Sequence, residues 1–445
     1  APGEKKKLVL ILAFTPNGSD QITAVYNGAR PYEKLLQKTA DHYRNVLLTA
    51  DVMTPDDVLN QGTQWCKANM LRVLADYPTG RAFTNDPGKS SKVVARDSAW
   101  FVYGADYILP ETSCCLMEAF ASRQQDSGKI IEYYDALSDE REDYGLNIND
   151  DTPLFILAAV HHCDITGHTQ CRKRLYPAVC KAADYIISQE DKRGLVYCTA
   201  DGVGVYGIVG WRNIIPDMSI SGAVTEVNAE SYAALRAAAR LAGKVGDSQK
   251  ADYYHSKADA LRAAIQKHLR NPENGMYYLN IDIHGNPGTE VTADELFPMI
   301  FGVADEDSMR LIRLRLSNSD FMTDAGLRTV SSLSPFFTPD TFSGLRGGVW
   351  PGVTWWYAMA STEADPGLMV DSLKRSYQQY TVHPPAHNTV PGQFSEWFDG
   401  LSLVNRGMRL SPWEPPRFLW AIIEGGIGLD ITGDDVWIRP RIPYD

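Results

Sequence analysis

The sequence predicts a mainly α protein, a toroid of helical hairpins with a site at one mouth, and two observations lead there. Helical patterns of apolar residues follow one another from residue 54 almost to the end, about a dozen in successive pairs. Between them lie three long connectors rich in Gly, Pro and aromatic residues, 200–225, 327–350 and 382–415. Loops beyond ~12–15 residues are uncommon in compact domains and usually carry function. These three hold Trp211, Trp350, Trp397 and Trp413, four of the ten tryptophans, which sets aromatic loops on one side of a helical core.

A strand is expected over Leu8–Phe14, seven apolar residues after three lysines. The run is too short to span a bilayer. Thr15-Pro16-Asn17-Gly18-Ser19 after it reads as a turn rather than a signal-peptide cleavage site. An amphipathic helix covers 32–46. The next begins at Thr54-Pro55-Asp56-Asp57, with a cap residue, Pro in the first turn and acids at the positive end of the dipole. Further helices are expected over 99–107, 110–123, 152–166, 171–189, 226–242, 247–269, 294–301, 305–316, 353–360, 366–380 and 416–423. A strand pair, 276–283 and 288–291, surrounds His284-Gly285-Asn286-Pro287, and 429–440 reads as a β-hairpin. The organisation expected is an N-terminal strand and linker helix (1–52), a helical domain (53–428) and a C-terminal hairpin (429–445).

Of 445 residues, 43 are Lys or Arg and 55 are Asp or Glu, a net charge of −12. That balance lacks the basic footprint that nucleic acid or an anionic membrane surface requires, so neither is expected as a partner. Hydrophobic residues at 44% and charged residues at 22% place the chain among globular proteins. Seven cysteines, an odd number sitting mostly in helical patterns, read as buried thiols rather than a disulfide framework. Cytoplasmic, periplasmic and secreted locations all stay open. His161, His162, Cys163, His168 and Cys171 imitate a metal cluster but straddle a helix end and match no standard zinc spacing, so no metal is expected. Gly344-Leu345-Arg346-Gly347-Gly348 lacks the Lys-Ser/Thr of a phosphate loop, and no Gly-x-Ser-x-Gly elbow occurs.

Three segments carry candidate chemistry. In Pro391-Gly392-Gln393-Phe394-Ser395-Glu396-Trp397-Phe398-Asp399-Gly400 a carboxylate stands beside an indole. Sugar chemistry uses such a pair: the ring stacks on a pyranose face while Glu396 takes a proton from water. The second segment runs from Tyr206 through Trp211, Arg212, Asn213 and Asp217 to Thr225-Glu226-Val227-Asn228-Ala229-Glu230, which opens a helix. Asp217 and Glu226 are both placed to face a cleft, although Glu226 alone also reads as a first-turn acid on the helix dipole. The third, Val94-Ala95-Arg96-Asp97, is a salt-bridged helix start or a clamp on adjacent sugar hydroxyls.

Taken together these segments resemble the six-hairpin glycosidases, inverting enzymes built on an (α/α)6 toroid. The likeness is greatest to the glycogen-debranching (amylo-α-1,6-glucosidase-like) group and to trehalases and processing glucosidases. It covers roughly 54–440 in motif order. Arg96-Asp97 resembles the pair that holds the terminal sugar. Asn149-Asp150-Asp151-Thr152-Pro153-Leu154-Phe155 is similar to the Asp-x-Pro-Leu helix start. Thr225-Glu226-Val227-Asn228-Ala229 is similar to a Val-Glu-Val-Asn-Ala segment, and Gly348-Val349-Trp350-Pro351 to the loop under the terminal sugar. Glu396-Trp397-Phe398-Asp399-Gly400, with Ser411-Pro412-Trp413, occupies the place of the general base. The family's general acid, an Asp just before the Asn-Ala segment, is replaced by Gly210-Trp211-Arg212-Asn213. Leu8–Phe14 stands where the last strand of an N-terminal β-sandwich would lie.

The resemblance implies an inverting, exo-acting hydrolase of α-linked, α-glucoside-like sugars that needs no cofactor. Glu396 is the expected base, and Asp217 or Glu226 the expected acid. An Asp changed to Asn at 213 would leave the enzyme inactive. Arg96, Asp97, Asp151, Trp211, Asn213, Trp350 and Trp397 are expected to bind an oligosaccharide or glycoside. Rival readings are a rhamnosidase-like hydrolase, a uronate lyase using Arg212, Tyr206 and His387, and a carbohydrate-binding protein that kept the toroid and lost the acid.

Overall fold

The structure, a computed structural model, describes residues 5–12, 19–142, 145–199, 209–212, 218, 220–381, 388–432, 436–441 and 443. It divides into two units, Ala1–Asp51 and Val52–Asp445. The first holds helices α1 (Ile22–Ala29) and α2 (Tyr32–Leu48), and an exposed Lys7–Glu33 ion pair of 2.7 Å. The strand expected over Leu8–Phe14 does not form in its described part. Residues 5–12 have no regular structure and Leu8 is 93% exposed. An apolar run becomes a strand only where a neighbour takes its backbone hydrogen bonds, and none is paired with it here.

The second unit is a closed ring of helices. Its elements are α3 (Asp57–Val73), α4 (Ala95–Ala105), α5 (Pro110–Ser122), α6 (Asp151–Thr166), α7 (Thr169–Ser188), α8 (Thr225–Val245) and α9 (Ser248–His268). They continue with α10 (Leu296–Ile300), α11 (Glu306–Leu316), α12 (Pro351–Ser361), α13 (Pro366–Gln378) and α14 (Glu414–Trp420). The even members pack in a circuit, α4 on α6, α6 on α8, α8 on α10, α10 on α12, α12 on α14, and α14 back on α4. Odd members lie outside: α3 and α13 flank α14 and α12, while α5, α7 and α9 flank α4, α6 and α8. This is the (α/α)6 toroid, with the described strands forming short two- and three-stranded sheets between helices.

Sequence explains which helix lies where. α6 is apolar around its whole circumference, with nearly every residue from Asp151 to Val160 buried, as a helix packed on all sides must be. Outer helices α3, α9, α11 and α13 are capped by Asp56, Asp247, Asp305 and Asp365, whose side chains accept from first-turn amides. Asp56, accepting from Val58 at 2.8 Å, therefore takes the cap role expected of Thr54. The six inner helices have no such side-chain cap. Their positive ends are left to the site.

Aromatic side chains plug the ring. Trp100 of α4 meets Trp356 of α12 at 4.8 Å between centroids and Trp420 of α14 at 6.0 Å, and Phe297 of α10 reaches Trp356 at 5.1 Å. One further strand expectation changes. Asn280–Ile281 pairs as a strand with Ala223–Val224, while Gly288 adds backbone bonds to Leu279 and Asn280. Leu429–Asp430 and Trp437–Ile438 do form the expected C-terminal hairpin. No described helix is long and apolar enough to cross a membrane.

Candidate active site

First-turn residues of the inner helices meet around one buried cation. The Arg96 guanidinium donates to both oxygens of Asp150 and, at 3.3 Å, to Glu132, and its backbone N–H donates to Asp151 at 3.0 Å. Asn149 ties the set together by donating to Glu132 (2.9 Å) and Asp151 (2.6 Å). Arg96 and Asp151 are thus spent on each other's network. Asp97 is half-buried, and Arg96, Arg417, Glu396 and Glu132 act on its carboxyl. Burial pushes Asp97 up to about 7 despite the opposing pull of Arg96 and Arg417.

On the α8 side the loop 209–212 is laid onto helix starts. Asp150 donates its backbone N–H to Val209 at 3.0 Å, and Trp211 donates its own to Glu226 at 2.8 Å. Gly210 makes this possible: a Cβ there would lie 2.0 Å from Glu226 Oε2. Glu226 is 2% exposed, and burial, with Asp150 and Asp294 nearby, holds its carboxyl well above the usual range. Trp211 turns its indole N–H to Asp294 (2.9 Å), which also takes the guanidinium of Arg212 (3.1 and 2.5 Å). Arg212 is fully buried and so belongs to the wall. Asn213 and Asp217, together with Tyr206 and His387, lie outside the described residues.

A second acidic group is built on other loops. Glu396 sits at the base of a hairpin whose strands are joined by Glu396 N–H to Met408 O (3.0 Å). Reciprocal 2.8 Å bonds pin Phe398 to Val349, next to Trp350. Glu396 is partly accessible, and burial among protein atoms raises it to about 7. Its charge acts on Asp97 and on Glu414, which burial raises to about 8. Arg417, drawn down to about 10 by burial, lies between them. It donates to Glu414 at 3.3 Å and covers the Trp356 ring at 4.2 Å. Gly352 admits this pair, since a Cβ there would meet Arg417 Nη1 at 2.3 Å.

Trp211 joins the two sides, with its ring 5.9 Å from both Trp350 and Trp356. Trp350 is nearly buried and donates its indole N–H to Ser343 O at 3.0 Å. Trp397 does not face this floor in the same way. It is 6% exposed and packs against Gly344 and Gly407, so its ring anchors the Glu396 hairpin.

The sequence reading did not name as site residues Asp150, Glu230, Asp294 or the Glu414–Arg417 pair. Spacing held a signal for two of them. Glu226 and Glu230 are i,i+4 on α8, and Glu414 and Arg417 are i,i+3 on α14. Asp150, Glu226 and Glu230 bring carboxylate oxygens within 4.8 Å of one another. Three such groups cannot all ionise. Burial, with Glu226 and Asp150 nearby, keeps Glu230 protonated well above the usual range, and neither of its oxygens has a partner. The folded state therefore holds a proton that the unfolded chain releases. Stability falls as pH climbs past the ordinary carboxylate range, by up to ~1.4 kcal/mol per pH unit. Glu230→Gln has no such proton to lose. Its thermal unfolding curve should rise above wild type at alkaline pH and converge with it in acid; parallel curves across pH would refute a protonated Glu230.

A family model described as a mannosylglycerate hydrolase MGH1-like glycoside hydrolase domain matches residues 210–402, which include Trp211, Glu226, Trp350 and Glu396. Periplasmic trehalase of Salmonella typhimurium is 30% identical over 110 residues, 24% of this chain and 19% of its own length. The chain thus spans about a fifth of the curated relatives it matches. Among solved structures, the GH78 family rhamnosidase of Bacillus sp. GL1 superposes with a TM-score of 0.64 at 19% identity. That match covers 86% of this chain and 36% of the rhamnosidase. The GH63 mannosylglycerate hydrolase of Thermus thermophilus gives 0.63 at 16% identity, over 80% of this chain and 98% of its own. Identities this low carry the fold.

Proposed function

Because the chain has the fold of the six-hairpin glycosidases, we propose that it is an inverting, exo-acting glycoside hydrolase of small α-linked, α-glucoside-like sugars. The observation that carries this reading is the pair of unlike acids about one aromatic floor. Glu396 is open enough to meet water and titrates near neutrality, while Glu226 is enclosed and keeps its proton. In the reaction a water proton passes to Glu396 as the water oxygen bonds the anomeric carbon. The glycosidic C–O bond breaks, and the departing oxygen takes the proton of Glu226. Inversion of this kind works with carboxyl groups ~6.5–9.5 Å apart, leaving room for the water. Asp97 accepts from sugar hydroxyls, and Trp211 and Trp350 line the ring's apolar face. Arg96 and Asp151 hold the Asp150 network in place rather than touching sugar. The names of the relatives, trehalase and mannosylglycerate hydrolase, favour a small glycoside as substrate.

Incubating the protein with aryl α-glycosides and disaccharides, and following the first-formed anomer by NMR, tests the proposal. Inverted free sugar supports it. A retained anomer, an unsaturated uronate, or binding without turnover each overturns it. On a cleaved substrate kcat/KM should rise with pH through about 7, where burial places both Glu396 and Asp97. The base acts only when ionised, which sets that sign. Two coupled carboxyls share this limb, so it reports the pair. A rate that instead falls through neutrality would contradict Glu396 as base.

A further inference from the structure

At the far end of α6 the fold gathers three soft donors from three helices. His162 lies about 16 Å along α6 from Asp151. Cys114 of α5 and Cys171 of α7 approach to 2.9 Å between sulfurs, and both remain free thiols. The donor atoms of Cys114, His162 and Cys171 all lie within 4.8 Å of one another. His162 is oriented by its other nitrogen, since Nδ1 is held by Asp106 Oδ1 at 2.6 Å, and this leaves Nε2 for the thiols. The same carboxylate takes His161 Nδ1 at 2.6 Å, so Asp106 is itself fixed. A carboxylate behind a ligating histidine is the usual outer support of a metal-bound imidazole. Glu118 reaches Cys114 Sγ at 3.6 Å, and Arg174 pairs with Glu118 and approaches the same sulfur at 3.7 Å. Cys114 is only half-buried, which opens a way in.

We propose that Cys114, His162 and Cys171 form a binding site for a thiophilic divalent ion, Zn(II) by the chemistry of its donors, with Glu118 or water in the fourth position. Two thiolates and an imidazole suit tetrahedral zinc, whose Zn–S bonds are ~2.3 Å. Loading releases the two thiol protons, together with any extra proton on the imidazole, and moves the sulfurs apart to their tetrahedral separation. The site stands apart from the sugar chemistry and does not depend on it. It departs from the sequence reading, in which His161, His162, Cys163, His168 and Cys171 looked like an accident of spacing. Of that set only His162 and Cys171 belong to the proposed site. The missing donor was Cys114, 48 positions before His162 and invisible to a spacing rule.

Titrating the full chain with Co(II), after chelation and complete reduction, tests the site. A thiolate charge-transfer band with intense tetrahedral d–d bands should saturate at one equivalent, and Zn(II) should displace it. Cys171→Ser and Cys114→Ser should each abolish the band while keeping the helical circular dichroism. Cys115→Ser, the exposed neighbour, should keep it. Cys114→Ser is at a half-buried position and keeps the test open should Cys171→Ser misfold. A reduced protein without the band, or a band that survives Cys114→Ser, overturns the proposal. So does a Cys114–Cys171 disulfide whose reduction restores no cobalt binding.

Discussion

Glu396→Gln should lower turnover of a cleaved glycoside by about a thousandfold, the scale of a lost general base, with little change in KM. Glutamine keeps the volume, and its amide oxygen still accepts the 3.4 Å contact from Met408 N–H. The hairpin, held by backbone bonds to Val349 and anchored by Trp397, should therefore stay in place. What is lost is the capacity to take a proton. Circular dichroism and the unfolding temperature should match wild type, which separates the effect from misfolding. Turnover within a few-fold of wild type would remove Glu396 from the reaction and with it the two-carboxylate mechanism.

The second large effect concerns the acid. Glu226→Gln should cost about 10²–10⁴-fold on substrates with poor leaving groups and far less on a glycosyl fluoride, whose leaving group needs no proton. Asp217→Asn should leave both substrates nearly unchanged. If the split follows Asp217 instead, the proton comes from the loop and Glu226 is a positioning residue beneath Trp211. Asn213→Asp discriminates further, since a gain in activity would show that a carboxyl is wanted at that place. The three variants together return one assignment.

Much of the helical architecture is legible in local pattern. Asp247, Asp305 and Asp365 announce the starts of outer helices because a cap acts within three residues of itself. Periodicity likewise exposes α5, α7 and α9, whose faces are divided between protein and water. The influence of Glu396 on Asp97 is a different matter, since 299 positions separate them and only the tertiary fold brings their charges together. Asp150 and Asp151 are adjacent in sequence and chemically alike. Arg96 nevertheless uses its guanidinium on the first and its backbone amide on the second.

Composition and periodicity sufficed for an acidic, mainly helical chain of paired helices with indole-rich loops, because burial patterns and caps are written within a few residues of where they act. Closure of the ring, the shared mouth of six uncapped inner helices and the protonation of Glu226 and Glu230 could not be read that way. Each depends on which distant side chains exclude water from which carboxyls. Dielectric surroundings belong to the packed assembly and not to any segment of the chain.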